Sequence, residues 1–240
     1  MSSHPTDFQG SVVDALRQVI PAGVLADVGP LGDVEHRLYA EERQIIQNAV
    51  AKRRQEFATG RVLAHALLGQ LGVTPAPLLR GEDRSPQWPK HILGSISHSA
   101  AGVAVVVGRS RPDLFGIGVD LEVCRSLDKK LHKRLLTAEE QEWLAQWRGP
   151  FPAEVAAMAM FSLKEALFKC MYPLGNQGLR FQHVSFLVPK DQDWGSGVRV
   201  PIVAQESLKN RLPKESVLQA WLIADRQSLL SFIWCESKHS

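Results

Sequence analysis

The sequence predicts an α+β protein made of two similar halves, each an antiparallel sheet packed on helices. Three observations carry that expectation. Apolar runs of strand length recur between turn signals, two long stretches have helical spacing, and helices precede strands twice along the chain. The expected halves are 1–114 and 115–240, an architectural duplication without an aligned internal repeat.

In order, residues 11–28 are weakly patterned and run into Pro- and Gly-rich sequence at 21–32. From Ala40 to Gly72 a stripe of Ile45, Ile46, Ala49, Val50, Phe57, Leu63, Leu67 and Leu68 predicts a helix, with Gly60 as the point where it would loosen or split. A loop rich in Pro, Gly and charge covers 73–90. Two strands come next, "LGSISHS" (93–99) and "GVAVVVG" (102–108), close enough to form a hairpin, and "FGIGVDLEV" (115–123) makes a third. In the second half, Thr137 and Glu140 have the spacing of a capping box that opens a helix. A longer helix is expected over about 153–171. Four strand-like runs close the chain, "HVSFLV", "VRVPIV", "VLQAWLIA" and "LLSFIW", the last two joined by "DRQ" as a hairpin.

Composition narrows the function classes. A chain of 240 residues, 45% hydrophobic and 22% charged, can bury a sizeable core. The net charge of +3 suits an acidic partner or a phosphate-bearing ligand and is too small to imply nucleic acid. Cys124, Cys170 and Cys235 are odd in number and far apart, which reads as reduced thiols in a cytoplasmic protein, not a disulfide frame or a zinc site. The N-terminus lacks the pattern of a secretory signal, and the longest apolar runs are too short to span a bilayer.

The candidate chemistry lies in four places. Asp120 and Glu122 are two apart on a strand and so share a face, where like charges repel unless a cation sits between them. Either this is a solvated strand end, or it is a hard-oxygen site suited to Mg²⁺. In "FSLKEALFK" (161–169), Lys164, Glu165 and Lys169 interrupt an apolar helix. Glu165 and Lys169 have the spacing of a surface ion pair, and the same strip could line a cleft. Ser97 and His98 in "SISHS" could hydrogen-bond a phosphate, and no acid completes a Ser-His-Asp triad. Lys52, Arg53, Arg54 and Arg61, followed by Arg80 and Arg84, make a solvated basic face, a nucleic-acid contact, or a set of guanidinium forks for a compact phosphate.

Together, "KRRQEFATGR", "RGEDRSPQWP", "GSISHS", "GIGVDLE" and "FSLKEALFK" resemble, in order and spacing, the motifs of the 4′-phosphopantetheinyl transferases of the large single-chain surfactin/enterobactin-synthase type. The resemblance covers residues 43–186. It implies two α/β subdomains related by a pseudo-twofold, a monomer, and transfer of 4′-phosphopantetheine from coenzyme A to a serine of an apo acyl or peptidyl carrier protein. It implies Mg²⁺, with Mn²⁺ as the alternative ion, held by Asp120, Glu122 and Glu165, with coenzyme A as co-substrate. Asp120, Glu165 and Lys169 would be the catalytic groups. Glu165 would be the base, directly or through a metal-bound water. Lys164 and Lys169 would contact the pyrophosphate, Ser97 and His98 a phosphate, and Arg53 (or Arg54), Arg61, Arg80 and Arg84 the nucleotide end. Two features depart from the family pattern or bear on the metal set. Phe161 stands where Trp is common, and Leu121, between the two acids, should point into the core.

Overall fold

The computed structural model describes residues 5–175 and 178–238; residues 1–4, 176–177 and 239–240 of the two expected halves lie outside them. The chain begins with α1 (Pro5–Val19), β1 (Val24–Gly29), α2 (Ala40–Ile46) and α3 (Ala51–Gln70). It continues through β2 (Ile92–Ser99), β3 (Gly102–Arg109), β4 (Leu114–Val123), α4 (Lys129–Leu135), α5 (Ala138–Ala145) and α6 (Ala153–Met171). It ends with β5 (Val184–Phe186), β6 (Val198–Arg199), β7 (Ile202–Ala204), α7 (Glu206–Lys209), β8 (Ser216–Ala224) and β9 (Ser228–Ser237). One antiparallel sheet has the order β1-β3-β2, a second β4-β9-β8-β6, and β5 and β7 form a ribbon.

The layers result from strand alternation. In β3, Val103, Val105 and Val107 face α3, whose Ala64, Leu67 and Leu68 cover them. Ala104 and Val106 face the other way and share a core with Ile117, Val119 and Leu121 of β4 and with Leu230, Phe232 and Trp234 of β9. Across the second sheet, Leu229, Ile233 and Cys235 face α6. The order is therefore α3, first sheet, shared core, second sheet, α6. Leu121, expected to point inward, is 1% exposed.

The structure decides three points the sequence left unsettled. The strand 114–123 pairs along its length with β9 of the second sheet, and β1, from the stretch that read as weakly patterned, takes the third place in the first. The stretch 40–72 is broken at 47–50, not at Gly60. A Cβ on Gly60 would lie 3.0 Å from Ile96 Cγ2, so this glycine serves close packing of α3 on β2. Finally, α1 buries Val12, Val13, Ala15 and Leu16 in the shared core, which fastens the N-terminal segment to both sheets.

The Thr137–Glu140 capping box forms as the spacing predicts, and tertiary packing adds a second use for its glutamate. Glu140 is fully buried and its Oε2 lies 2.7 Å from Lys164 Nζ, which is buried as well. Lys164 also donates to the carbonyls of Leu135 and Phe181, while the Phe186 N–H donates to Glu140. Burial pushes the Glu140 carboxyl up and the Lys164 ammonium down, and their contact opposes both shifts. Removing one partner strands the other charge, so Lys164→Met should cost about 3–5 kcal/mol in urea denaturation. A Glu140→Gln/Lys164→Met pair should recover part of that loss. A single variant as stable as the parent would refute this role for the buried pair.

Candidate active site

The glycines of "GIGVDLE" set the distance between β4 and α6. A Cβ on Gly118 would lie 2.0 Å from the Ala166 carbonyl oxygen, and one on Gly116 would lie 2.2 Å from that of Cys170. Next along the same face, Asp120 Oδ2 accepts from Ser162 Oγ at 2.9 Å. Two strand residues and four helix residues advance by similar lengths, about 6–7 Å, so each step along β4 meets the next turn of α6. The helix lies directly on the strand. That contact brings Glu165 and Lys169, one turn apart, to the carboxylates of β4.

Asp120 is the centre of the cluster and is 5% exposed. Its Oδ1 accepts from Ser97 Oγ and from Lys169 Nζ, each at 2.8 Å. Lys169 also donates to the Val119 carbonyl at 3.0 Å. From β2, Ser95 Oγ accepts from the Val119 N–H, so hydroxyls of the first sheet stitch β2 to β4 of the second. Glu122 and Glu165 are half-buried. Burial, then the charge of Asp120, pushes both carboxyls above their ordinary value. Three hard-oxygen acids repelling one another in a partly dehydrated place have the donor chemistry that Mg²⁺ prefers, with water and phosphate oxygens to complete its shell. Among the described residues no three His, Cys, Asp or Glu side chains stand in coordinating positions, and Lys169 engages Asp120.

A cleft opens beside this cluster. One part, of about 580 Å³, is lined by Asp83, Trp88, Gly94, Ile117, Lys169 and Tyr172. A second part, of about 450 Å³, shares Trp88, Lys169 and Tyr172 and adds Arg84, Ser95 and Phe168. The Trp88 indole lies on Gly94, where a Cβ would be 2.4 Å from Cε2, which accounts for the glycine of "GSISHS". Ser85 Oγ bonds Tyr172 Oη at 2.9 Å, tying the 79–88 loop to the end of α6.

Further along, Arg53, Arg61, Arg80, Arg84 and His98 line a small pocket of about 120 Å³. Arg61 is 5% exposed, its guanidinium 4.5 Å from the Phe57 ring centroid, and burial lowers its pKa to about 10. His98 Nε2 meets Arg53 and Nδ1 lies 3.3 Å from Glu56. Burial holds this imidazole below its usual value; Glu56 opposes, and Arg53 and Lys169 act with burial.

The structure thus brings Asp120, Glu122, Glu165, Lys169 and Ser97 into one cluster and Arg53, Arg61, Arg80, Arg84 and His98 into an adjacent pocket. Two readings are corrected, and one of the alternatives for the basic segment loses its basis. Lys164 does not face the cleft: it is one residue, about 100° of helix turn, from Glu165, and its ammonium is bound to Glu140 in the core. Ser97 and His98 do not act as a pair, because neighbours on a strand point to opposite faces; Ser97 meets Asp120 and His98 meets Glu56 and Arg53. The basic segment is not a free face for nucleic acid, since Arg54 is clamped by Glu35 at 2.8 and 2.6 Å and Arg61 is buried. Between Arg53 and Arg54, Arg53 is the one in the pocket. Ser162, Trp88, Glu56 and Tyr172 escaped the sequence reading. Only Ser162 left a signal there, as a lone hydroxyl one turn before Ala166 in an apolar helix.

The first-half model that matches is the 4′-phosphopantetheinyl transferase N-terminal domain, over residues 41–108; the second is the 4′-phosphopantetheinyl transferase superfamily, over residues 116–208. The chain belongs to the 4′-phosphopantetheinyl transferase superfamily. It is similar to the 4′-phosphopantetheinyl transferase Svp of Streptomyces mobaraensis, 36% identical over 64% of this chain and 62% of that one. It is also similar to PptT of Mycobacterium tuberculosis, 36% identical over 61% of this chain and 64% of that one. The chain therefore spans a little under two thirds of the length of these two relatives. Npt of Nocardia iowensis is 27% identical over 88% of this chain and 95% of its own.

Proposed function

We propose that this chain transfers 4′-phosphopantetheine from coenzyme A to a serine of an apo acyl or peptidyl carrier protein, releasing 3′,5′-ADP. The observation that carries the reading is a cleft lined by Lys169, whose ammonium bonds Asp120 of the acid cluster, and joined to the arginine pocket through the shared lining of Arg84, Pro86 and Ile96. Family membership supplies the reaction class, and the proposal takes the chain as halves of 1–114 and 115–240 with that cleft between them.

In this reading Arg53, Arg61, Arg80 and Arg84 hold the 3′-phosphate and nucleotide end, matching its oxygens with guanidinium forks. Lys169 reaches the pyrophosphate from the edge of the cleft. The serine oxygen of the carrier forms a bond to the pantetheine-side phosphorus. The bridging P–O bond breaks, and its electron pair leaves on 3′,5′-ADP. Glu165 takes the serine proton, and Lys169 offsets the charge that grows on the leaving phosphate. Asp120, Glu122 and Glu165 are the residues that would hold Mg²⁺ or Mn²⁺, which would supply charge neutralisation on the pyrophosphate. Asp120 is fixed by Ser97 and Ser162, so the cluster is held by both sheets and α6 together.

The exposed lysines and arginine of α4 suit an acidic carrier surface. The three free cysteines fit a reducing cytoplasm, and among the described residues no helix is long and apolar enough to cross a membrane. The protein acts as a monomer in this reading, since one chain supplies both sides of the cleft. Intact mass spectrometry of several apo carriers, incubated with the protein, coenzyme A and Mg²⁺, should show a gain of one phosphopantetheine. A panel without any such gain would overturn the proposal.

A further inference from the structure

Glu42 sits in α2, apart from the acids of the cluster, and is fully buried. Its Oε1 accepts from His65 Nε2 at 2.8 Å and from the Leu78 N–H at 2.9 Å; its Oε2 accepts from the Tyr39 N–H at 3.1 Å. The carbonyl of the same Leu78 accepts from Arg61 Nε at 2.9 Å. One residue of the 73–90 loop is therefore gripped on both sides, its N–H by a carboxylate and its C=O by a guanidinium. The Leu78 side chain, 1% exposed, is set into the core under α3 beside Leu67 and Leu68.

The residues just after Leu78 give the grip its meaning. Arg80 comes two residues later and is bridged to Pro86, and Arg84 turns through a left-handed φ of 72° between them. The pocket needs these two arginines beside Arg53 and Arg61, an arrangement of like charges that opposes itself. Burial, together with Arg53 and Arg80, disfavours the charge on Arg61, and Glu42 is the group that opposes them. A buried carboxylate with three donors on it costs far less than one without them. Here those donors come from Tyr39, the residue that caps α2, from α3 and from the loop, so the Glu42 carboxylate ties the start of its own helix to the two elements that carry the pocket arginines.

We propose that Glu42 is a positioning residue for phosphate-monoester recognition: by holding the Leu78 peptide and balancing Arg61, it keeps the arginine pocket in the shape that selects a nucleotide bearing a 3′-phosphate. This rests on the assignment of that pocket to the 3′-phosphate. Glu42 touches no ligand. Its contribution concerns discrimination between nucleotides with and without that phosphate, not the transfer step.

Glu42→Gln keeps nearly the same shape, removes the charge, and leaves one acceptor oxygen in place of two. Calorimetric titration with 3′,5′-ADP and with 5′-AMP reads the effect without any carrier or turnover. The variant should bind 3′,5′-ADP about tenfold more weakly and 5′-AMP as the parent does. In transfer assays KM for coenzyme A should rise by a similar factor, with kcat unchanged and KM for 3′-dephospho-coenzyme A unmoved. Equal weakening of both nucleotides, or unchanged discrimination, overturns the proposal, because a general loss of structure would not single out the 3′-phosphate. Arg84→Ala, measured in parallel, separates the pocket from the residue that positions it. If Arg84→Ala loses discrimination and Glu42→Gln keeps it, the pocket assignment stands and the role of Glu42 falls. If Arg84→Ala keeps discrimination, the pocket assignment falls and the proposal falls with it. Should Glu42→Gln fail to fold, Glu42→Asp, which keeps the charge and shortens the reach, is expected to show the same selective loss in smaller degree.

Discussion

Asp120→Asn is expected to lower transfer by about 10²–10³-fold or more while the protein stays folded, the loss typical of removing one preorganised electrostatic group from an active site. Asparagine retains the shape and can still accept from Ser97 or Ser162, so the hydroxyls that fix this position keep a partner. What disappears is the charge that pairs with Lys169 at 2.8 Å and that would help hold a divalent ion. Turnover, together with binding of Mn²⁺ followed by its electron-spin signal, checks the two losses separately. The substitution has a second consequence with a definite sign. Burial and then Asp120 push Glu122 and Glu165 up, so removing the Asp120 charge should lower both carboxyls. Carbon-detected NMR of the side-chain carboxyls should show both titrating at lower pH than in the parent. Near-normal turnover by Asp120→Asn would remove Asp120 from the catalytic set.

The second large effect is expected at a residue with no functional group. In Gly118→Ala the new Cβ would need to occupy space 2.0 Å from the Ala166 carbonyl and 2.5 Å from the Cys170 nitrogen. Both obstacles are helix backbone, which cannot rotate aside as a side chain can. Helix α6 must lift off β4, carrying Glu165 and Lys169 with it. Overpacking of this kind costs about 1–3 kcal/mol, and a shift near 1 Å in catalytic groups is worth about 10²-fold in rate. Urea denaturation should show a lower midpoint with an unchanged slope, and kcat should fall by about that factor in the protein that remains folded. A Gly118→Ala protein as stable and as active as the parent would mean that the helix does not sit directly on the strand.

Much of the site was legible because its signals are local. Asp120 and Glu122 share a face by the two-residue period of a strand, and Glu165 and Lys169 share one by the helical turn. The capping box at Thr137 needs only three residues of spacing. Lys164 was misread for a reason of the same kind. Its sequence neighbours suggested a charged strip, yet a neighbour in a helix points about 100° away, and its partner Glu140 lies in another helix. Arg53 and Arg54 were equivalent by spacing until Glu35, from the turn before α2, took Arg54. The stretch that became β1 has too short an alternation to stand out, and its pairing with β3 is decided by the face it buries.

By itself, the sequence determined the α+β class, the long α6, the two hairpins and the ordered motifs whose acids and bases form the candidate site, because periodicity, capping and turn residues act within a few positions. Tertiary structure alone decided which charges are free to act. Glu140 draws Lys164 into the core, Glu35 holds Arg54 away, Ser97 and Ser162 reach Asp120 from different elements, and two glycines let α6 come down onto β4. Whether a buried charge is a structural partner or a reactive group depends on what lies within hydrogen-bond reach, and here those neighbours come from far along the chain.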